Sequence, residues 1–279
     1  MASPGKHLAL IIGFLALALA APAQDRNFYI FLCLGQSNME GFPGIPDQDK
    51  GPVDPRFQVL AAVDFPKLGR EANHWYPAVP PLCRPNSGVS PIDYFGRSLA
   101  AHFSPGIRIG VVDVAVAGAK IEVYDPDRIA SYTATAPEWM KGIIGAYHGN
   151  PYARLVELAK LAQKSGVIKG ILLHQGESNG GDPTWSAQVR SLYTRLLHDL
   201  NLRAEEVPLV VGELVGADQQ GACAAMNATI DDLPKTIPTA HVVSSAGCAA
   251  RPDHLHFLPA GYRELGRRYA ETMLPLLPR

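Results

Sequence analysis

Short apolar, β-branched runs alternating with helical stretches set the frame of this chain. Phe28–Leu34, Ile107–Val116, Ile168–His174, Pro208–Glu213 and His241–Ser245 read as strands, several apolar on both faces. A strand with two apolar faces belongs inside a parallel sheet covered by helices on each side. Helix starts are marked between them by Ser90-Pro91, Asn150-Pro151 and Asp182-Pro183, each a capping residue before a proline. After Asp182, Trp185, Val189, Leu192 and Leu196 recur at helical spacing, and Tyr262, Leu265, Tyr269 and Met273 share a face of a last helix over 259–274. The expected architecture is α/β, a three-layer α/β/α sandwich around a five-stranded parallel sheet.

Residues 1–23 stand outside that frame. Lys6 and His7 precede the apolar run Leu8–Ala20, and Ala21-Pro22-Ala23 supplies small residues where a signal peptidase reads. At about 13 residues the run is short for a bilayer, which needs roughly 20. The expectation is a cleaved signal peptide over 1–23, one domain over 24–279, and a product exported to the periplasm or the medium without stable membrane association. With 25 basic and 26 acidic side chains there is no basic excess to recruit nucleic acid. Of four cysteines, Cys33 reads as a small core hydrophobe, while Cys223 and Cys248 are placed so that they can pair. No two cysteines show zinc-ligand spacing, so neither metal nor organic cofactor is expected.

Residues 42–90 break the rhythm with segments such as FPGIPDQDKGPVDP and WYPAVPPLCRPNSG. A long irregular excursion inside a compact domain is usually functional or disordered. Trp75, Tyr76 and Trp139 are candidates for a sugar-stacking wall, or for staples holding loops to the body.

The chemistry gathers at strand ends, where open parallel sheets bind ligands. The first strand empties into GQSN (35–38), the second into AVAGAK (115–120), the third into HQGESN (174–179), and the last is followed by RPDHLHF (251–257). Ser37, in a tight turn after a buried strand, is the candidate nucleophile, and a serine hydroxyl needs an adjacent base oriented by a third group. Asp253 and His256 are three apart, so a turn brings them to one side, with His254 pointing elsewhere. His256 is therefore the expected base. Oxyanion donors are sought in the backbone N–H of Ser37 and Gly118 and in the Gln175 side chain, with Asn38 beside the nucleophile as a further polar contact. Glu177 is either a second acid supporting His256, a hydrogen-bond partner of the Ser37 loop, or a cap for the following helix.

GQSNMEG, HQGESN and D-x-x-H followed by FLPAGYRELGRRYA resemble the SGNH-hydrolase superfamily. More narrowly they resemble the sialate O-acetylesterase-like group that includes the acetylxylan esterases of carbohydrate esterase family six. WYPAVPPLCR, DYFGRSLA and GNPYARLVELAKLAQKSGVIKGILLHQGESN extend the resemblance over most of the chain. It implies a flavodoxin-like fold and an esterase acting on an acetylated polysaccharide or oligosaccharide, acetylated xylan first and O-acetylated sialic acid second. A sugar-binding protein without turnover is the alternative from another class. By the resemblance Ser37 is nucleophile, His256 base, Asp253 its orienting acid and Gly118 an oxyanion donor. Gln175 stands where many superfamily members have asparagine, and Glu177 matches a glutamate with a triad-like role.

Overall fold

A computed structural model describes residue 1 and residues 24–278. The expected signal peptide lies outside the described residues apart from Met1. Seven strands, β1 (Asp25–Gly35), β2 (Phe57–Leu60), β3 (Trp75–Pro77), β4 (Arg108–Ala115), β5 (Gly166–His174), β6 (Leu209–Gly212) and β7 (Ala240–Val243), form one sheet in the order β3-β2-β4-β1-β5-β6-β7. All neighbours are parallel except β2 and β3. The expected five strands are all present, and the sheet is wider by two. Both extra strands come from the excursion over 42–90. They are three and four residues long, amid prolines and glycines, too short for the period-2 signal by which strands are read.

The helices are α1 (Ser37–Glu40), α2 (Pro91–His102), α3 (Ile129–Thr135), α4 (Glu138–Ala146), α5 (Pro151–Gln163), α6 (Trp185–Asp199), α7 (Asn227–Asp231), α8 (Leu233–Thr236) and α9 (Pro259–Met273). β1 shows why helices must cover both faces. Phe28, Ile30, Leu32 and Leu34 enter one core with α5 and α6, while Tyr29, Phe31 and Cys33 enter the other with α2 and α9. Ser90 and Asp93 form a capping box at α2, and the Asn150 side chain accepts from Ala153 N–H at 3.0 Å at α5. Asp182 differs from its expected role. Its carboxylate takes the Thr184 N–H and hydroxyl at 2.8 and 2.7 Å, making a turn, and the helix begins at Trp185. Cys33 is buried as expected, whereas Cys223 and Cys248 are free thiols, not a disulfide. Asp49 pins the excursion to the body through two bonds from Arg263 at 2.9 and 2.7 Å and one from the Tyr94 hydroxyl at 2.8 Å.

The strand order reverses at β1, so the crevice between the loops after β4 and β5 lies directly beyond its carboxyl end. Gly35 ends β1 in register with Ala115 and His174. Its φ is +153°, and a Cβ there would lie 2.1 Å from the His174 carbonyl oxygen. Beneath it the buried Tyr124 hydroxyl accepts the Gly35 N–H at 3.0 Å and shares its proton with the Val114 and Gly35 carbonyls. Gly35→Ala is therefore expected to destabilise the protein by on the order of 3 kcal/mol in denaturant unfolding. Wild-type stability in that variant would contradict the close approach.

Candidate active site

Ser37 is the first residue of α1, separated from the end of β1 at Gly35 only by the N-cap residue Gln36. Its side chain is half-buried at the sheet rim, and its Oγ lies 2.9 Å from His256 Nε2. His256 Nδ1 lies 2.9 Å from Asp253 Oδ2. A carboxylate only accepts, so Nδ1 carries the imidazole proton and Nε2 presents its lone pair to the serine hydroxyl. The turn carrying both residues is built by Asp253 itself, whose Oδ1 accepts the N–H groups of Leu255 and His256, each at 3.0 Å. Burial pushes the Asp253 carboxyl up, but those two N–H groups and the His256 ring outweigh it and hold it down at about 2. His254 occupies the left-handed region (φ +55°), and its ring faces the Gln219 carbonyl, away from Ser37.

Two backbone N–H groups at this rim, those of Ser37 and Gly118, have no acceptor among the described residues. The first is a free donor of the α1 N-terminus. Gly118 is at φ +67°, and a Cβ there would meet the Trp139 indole at 2.7 Å. Trp139 is 57 % exposed, an apolar ring left open beside this loop. It borders a cleft of about 470 Å³ lined by Gly118, Lys120, Arg128, Tyr132, Met140 and Ser178.

Other expected site residues are placed differently. Gln175 is fully buried: its Nε2 donates to Asn179 Oδ1 at 2.7 Å and also meets the Gln36 and Ala119 oxygens, while its Oε1 takes the Trp185 indole N–H. That amide braces strand ends and has no donor left for an oxyanion. Asn38, expected beside substrate, is also fully buried. Its Nδ2 donates to Glu177 Oε1 at 2.6 Å and to the Leu255 carbonyl at 2.9 Å, and its Oδ1 accepts from the Tyr262 hydroxyl at 2.8 Å. It ties the nucleophile turn to the loop bearing His256. Trp75 and Tyr76 are away from the rim. The Trp75 ring packs on Phe28 at 4.8 Å and its N–H reaches Ser165 Oγ, near the amino ends of β1 and β5, while the Tyr76 hydroxyl accepts from Glu71 N–H. These two are staples of the excursion, and Trp139 alone of the three aromatics stands at the site.

Glu177 does not touch His256. Its carboxyl is buried against Asn38, and its second oxygen has no partner among the described residues. Of the expected roles, the structure places it as partner of the Ser37 loop. Burial raises this carboxyl to about 7, and burial also lowers the neighbouring His174 to about 3, so both are kept neutral over much of the acidic range.

Glu40, Arg84, Phe42 and Arg251 are at the site and were not expected there. Glu40 Oε2 accepts the Ala117 N–H at 3.1 Å, next to Gly118, while Oε1 is paired with the Arg84 guanidinium. Phe42 packs on the His256 ring at 4.7 Å, and the Arg251 guanidinium stacks on Phe42 at 4.0 Å without a carboxylate partner among the described residues. The only sequence signals were a charge inside GQSNMEG and the arginine opening RPDHLHF. No group of three or more His, Cys, Asp or Glu able to hold a metal occurs among the described residues.

A serine, its hydrogen-bonded imidazole and carboxylate, and two free N–H donors are the parts that acyl transfer requires. The profile of the family described as carbohydrate esterase, sialic acid-specific acetylesterase, matches residues 27–275. Among solved structures, the chain is similar to a protein from Arabidopsis thaliana (21% identity, TM-score 0.67, 90% of this chain and 99% of that one). It is also similar to NanS (18%, 0.64, 90% and 98%) and to a carbohydrate acetylesterase from Xanthomonas citri (17%, 0.60, 88% and 57%). At these identities the likeness is one of fold.

Glu177 generates a stability prediction. Its carboxyl titrates near 7 in the fold against an ordinary 4.5, so its contribution is fully present below 4.5 and is lost as pH rises through 7. Asp93, raised to about 7 by burial, acts in the same direction. Relative to wild type, Glu177→Gln is expected to gain stability by on the order of 2 kcal/mol between the two ends of that window. A stability difference independent of pH would show that Glu177 is already ionised in the fold.

Proposed function

The chain belongs to the carbohydrate esterase family of sialic acid-specific acetylesterases, and from that premise we propose that Ser37 attacks the acetyl carbonyl of an ester on a sugar hydroxyl. His256 Nε2, 2.9 Å away, takes the serine proton as the C–O bond forms. The carbonyl oxygen gains negative charge as it becomes tetrahedral, and the Ser37 and Gly118 N–H groups receive it. Asp253, held ionised, keeps the proton on Nδ1 and stabilises the imidazolium. The ester C–O bond then breaks, and His256 returns the proton to the departing sugar oxygen. Water, deprotonated by the same imidazole, attacks the acetyl-serine and releases acetate. The observation that carries this reading is the unbroken line Asp253–His256–Ser37 beside two uncommitted N–H donors.

We further propose export, with residues 1–23 removed as a signal peptide and one catalytic domain over 24–279. For the sugar, we carry acetylated xylan forward on the sequence likeness to acetylxylan esterases. The exposed Trp139 beside Gly118 supports it, since an open indole can stack on a neutral pyranose ring. A second reading, an O-acetylated sialic acid, is favoured by Arg251. Its guanidinium is oriented by Phe42 against the catalytic ring and lines a cleft of about 230 Å³. A forked donor without a carboxylate of its own suits a sugar carboxylate.

Two predictions follow from these roles. Ser37→Ala abolishes acetate release while circular dichroism and melting stay near wild type, and His256→Ala is far more damaging than His254→Ala. Turnover by Ser37→Ala would sink the mechanism, and the reverse order for the histidines would reassign the base. Second, acetate release is compared between acetylated xylo-oligosaccharides and O-acetylated sialic acid. If Arg251 holds the carboxylate, Arg251→Gln raises KM for the sialic ester by about tenfold and leaves the neutral ester unchanged. Equal effects on both esters would remove the sialate reading's support.

A further inference from the structure

We propose that Glu40 and Arg84 are positioning residues that set the spacing between the nucleophile and the Gly118 oxyanion donor. This rests on the acyl-transfer reading above. Glu40 is three residues from Ser37 in the same four-residue helix, whose Glu40 N–H and Gly41 N–H bond back to the Gln36 and Ser37 carbonyls at 2.9 Å. Its carboxylate reaches across to the loop after β4 and takes the Ala117 N–H at 3.1 Å. A peptide unit is planar. Fixing the N–H of residue 117 anchors the plane that enters Ala117, and only φ and ψ of Ala117 then separate it from the plane carrying the Gly118 N–H. Gly118 most needs the restraint, because a glycine at φ +67° has little conformational preference of its own.

The same strut creates an electrostatic problem that Arg84 solves. A bare carboxylate one residue from the oxyanion donor would repel the negative charge that builds up on the acetyl oxygen, and the burial of Glu40 leaves that repulsion poorly screened. Glu40 is buried, with 6 % of its side chain exposed, and Arg84 with 16 %. Burial raises the Glu40 carboxyl, and Arg84 together with the Ala117 N–H opposes that rise. Asp113, buried nearby, is pushed well above the usual carboxylate range by its burial, which disfavours a second negative charge beside Glu40. The strut thus presents to the oxyanion loop a hydrogen-bond acceptor with its charge cancelled.

Positioning and mere structural support are separated by four variants assayed for kcat, KM and melting temperature. Glu40→Ala removes the acceptor and is expected to lower kcat by about 10²-fold, comparable to loss of one oxyanion donor, with KM within about twofold. Arg84→Gln leaves the carboxylate uncompensated and lowers kcat in the same way. The double variant Glu40→Gln/Arg84→Gln keeps an amide oxygen for the Ala117 N–H and carries no charge, so its kcat exceeds that of either single variant. If Glu40→Ala does not fold, Arg84→Gln against the double decides. A double variant no faster than Arg84→Gln, or a Glu40→Ala that melts lower at unchanged kcat, overturns the proposal. Ser37→Ala run alongside keeps the readings apart: if it retains turnover the acyl-transfer reading itself fails, whereas its inactivity beside a fully active Glu40→Ala removes only the strut.

Discussion

The site depends on how closely three parallel strands bring their carboxyl ends together. β1 ends at Gly35 against the His174 carbonyl on one side and level with Ala115 on the other. No side chain fits between β1 and β5 at that level, so the loops after β4, β1 and β5 emerge as one rim. Ser37, Gly118 and Glu177 reach the rim from three distant stretches of chain for that reason. Asn38 then hooks the fourth contributor, the loop with Asp253 and His256, through the Leu255 carbonyl and the Phe257 N–H, while it also holds Glu177.

Charge is distributed sparingly around this rim. Burial keeps Glu177 and His174 neutral over much of the acidic range and pushes the Asp113 carboxyl up as well, so these groups add little to the field at the serine there. The carboxylates that remain are each assigned: Asp253 to the imidazole and two N–H groups, Glu40 to Arg84 and the Ala117 N–H. Arg251 is the cation beside the catalytic ring that no carboxylate holds among the described residues. A site laid out in this way stabilises a transient negative charge on a substrate oxygen while one imidazole carries the proton.

Much of this was legible in the residues. The five expected strands announced themselves as apolar, β-branched runs, several of them apolar on both faces, and the D-x-x-H spacing predicted which histidine a turn would turn toward Ser37. β2 and β3 were not legible: β6 and β7 are as short as β2 but sit in continuous apolar runs, whereas these two are broken up by prolines, glycines and polar residues and are defined only by pairing with β4 and with each other. Side-chain amides were the other blind spot. Gln175 and Asn38 occupy strand-end positions suited to substrate contact, yet Trp185, Asn179, Tyr262 and Glu177 consume their hydrogen bonds. The partners of Asn38 lie far off in sequence, and those of Gln175, four and ten residues on, are met only once the loop after β5 folds back over its strand end. Trp75 was misplaced similarly, because only the fold shows that its ring turns toward Phe28.

The central claim is that Ser37 carries the acetyl group, activated by the imidazole 2.9 Å from its hydroxyl. Labelling with a serine-reactive organophosphonate, followed by peptide mass spectrometry, tests it most directly. The account predicts one equivalent of label on Ser37, acetate release lost in proportion to labelling, and little labelling of a His256→Ala variant. Label on another residue, or full turnover by protein stoichiometrically modified at Ser37, would contradict it.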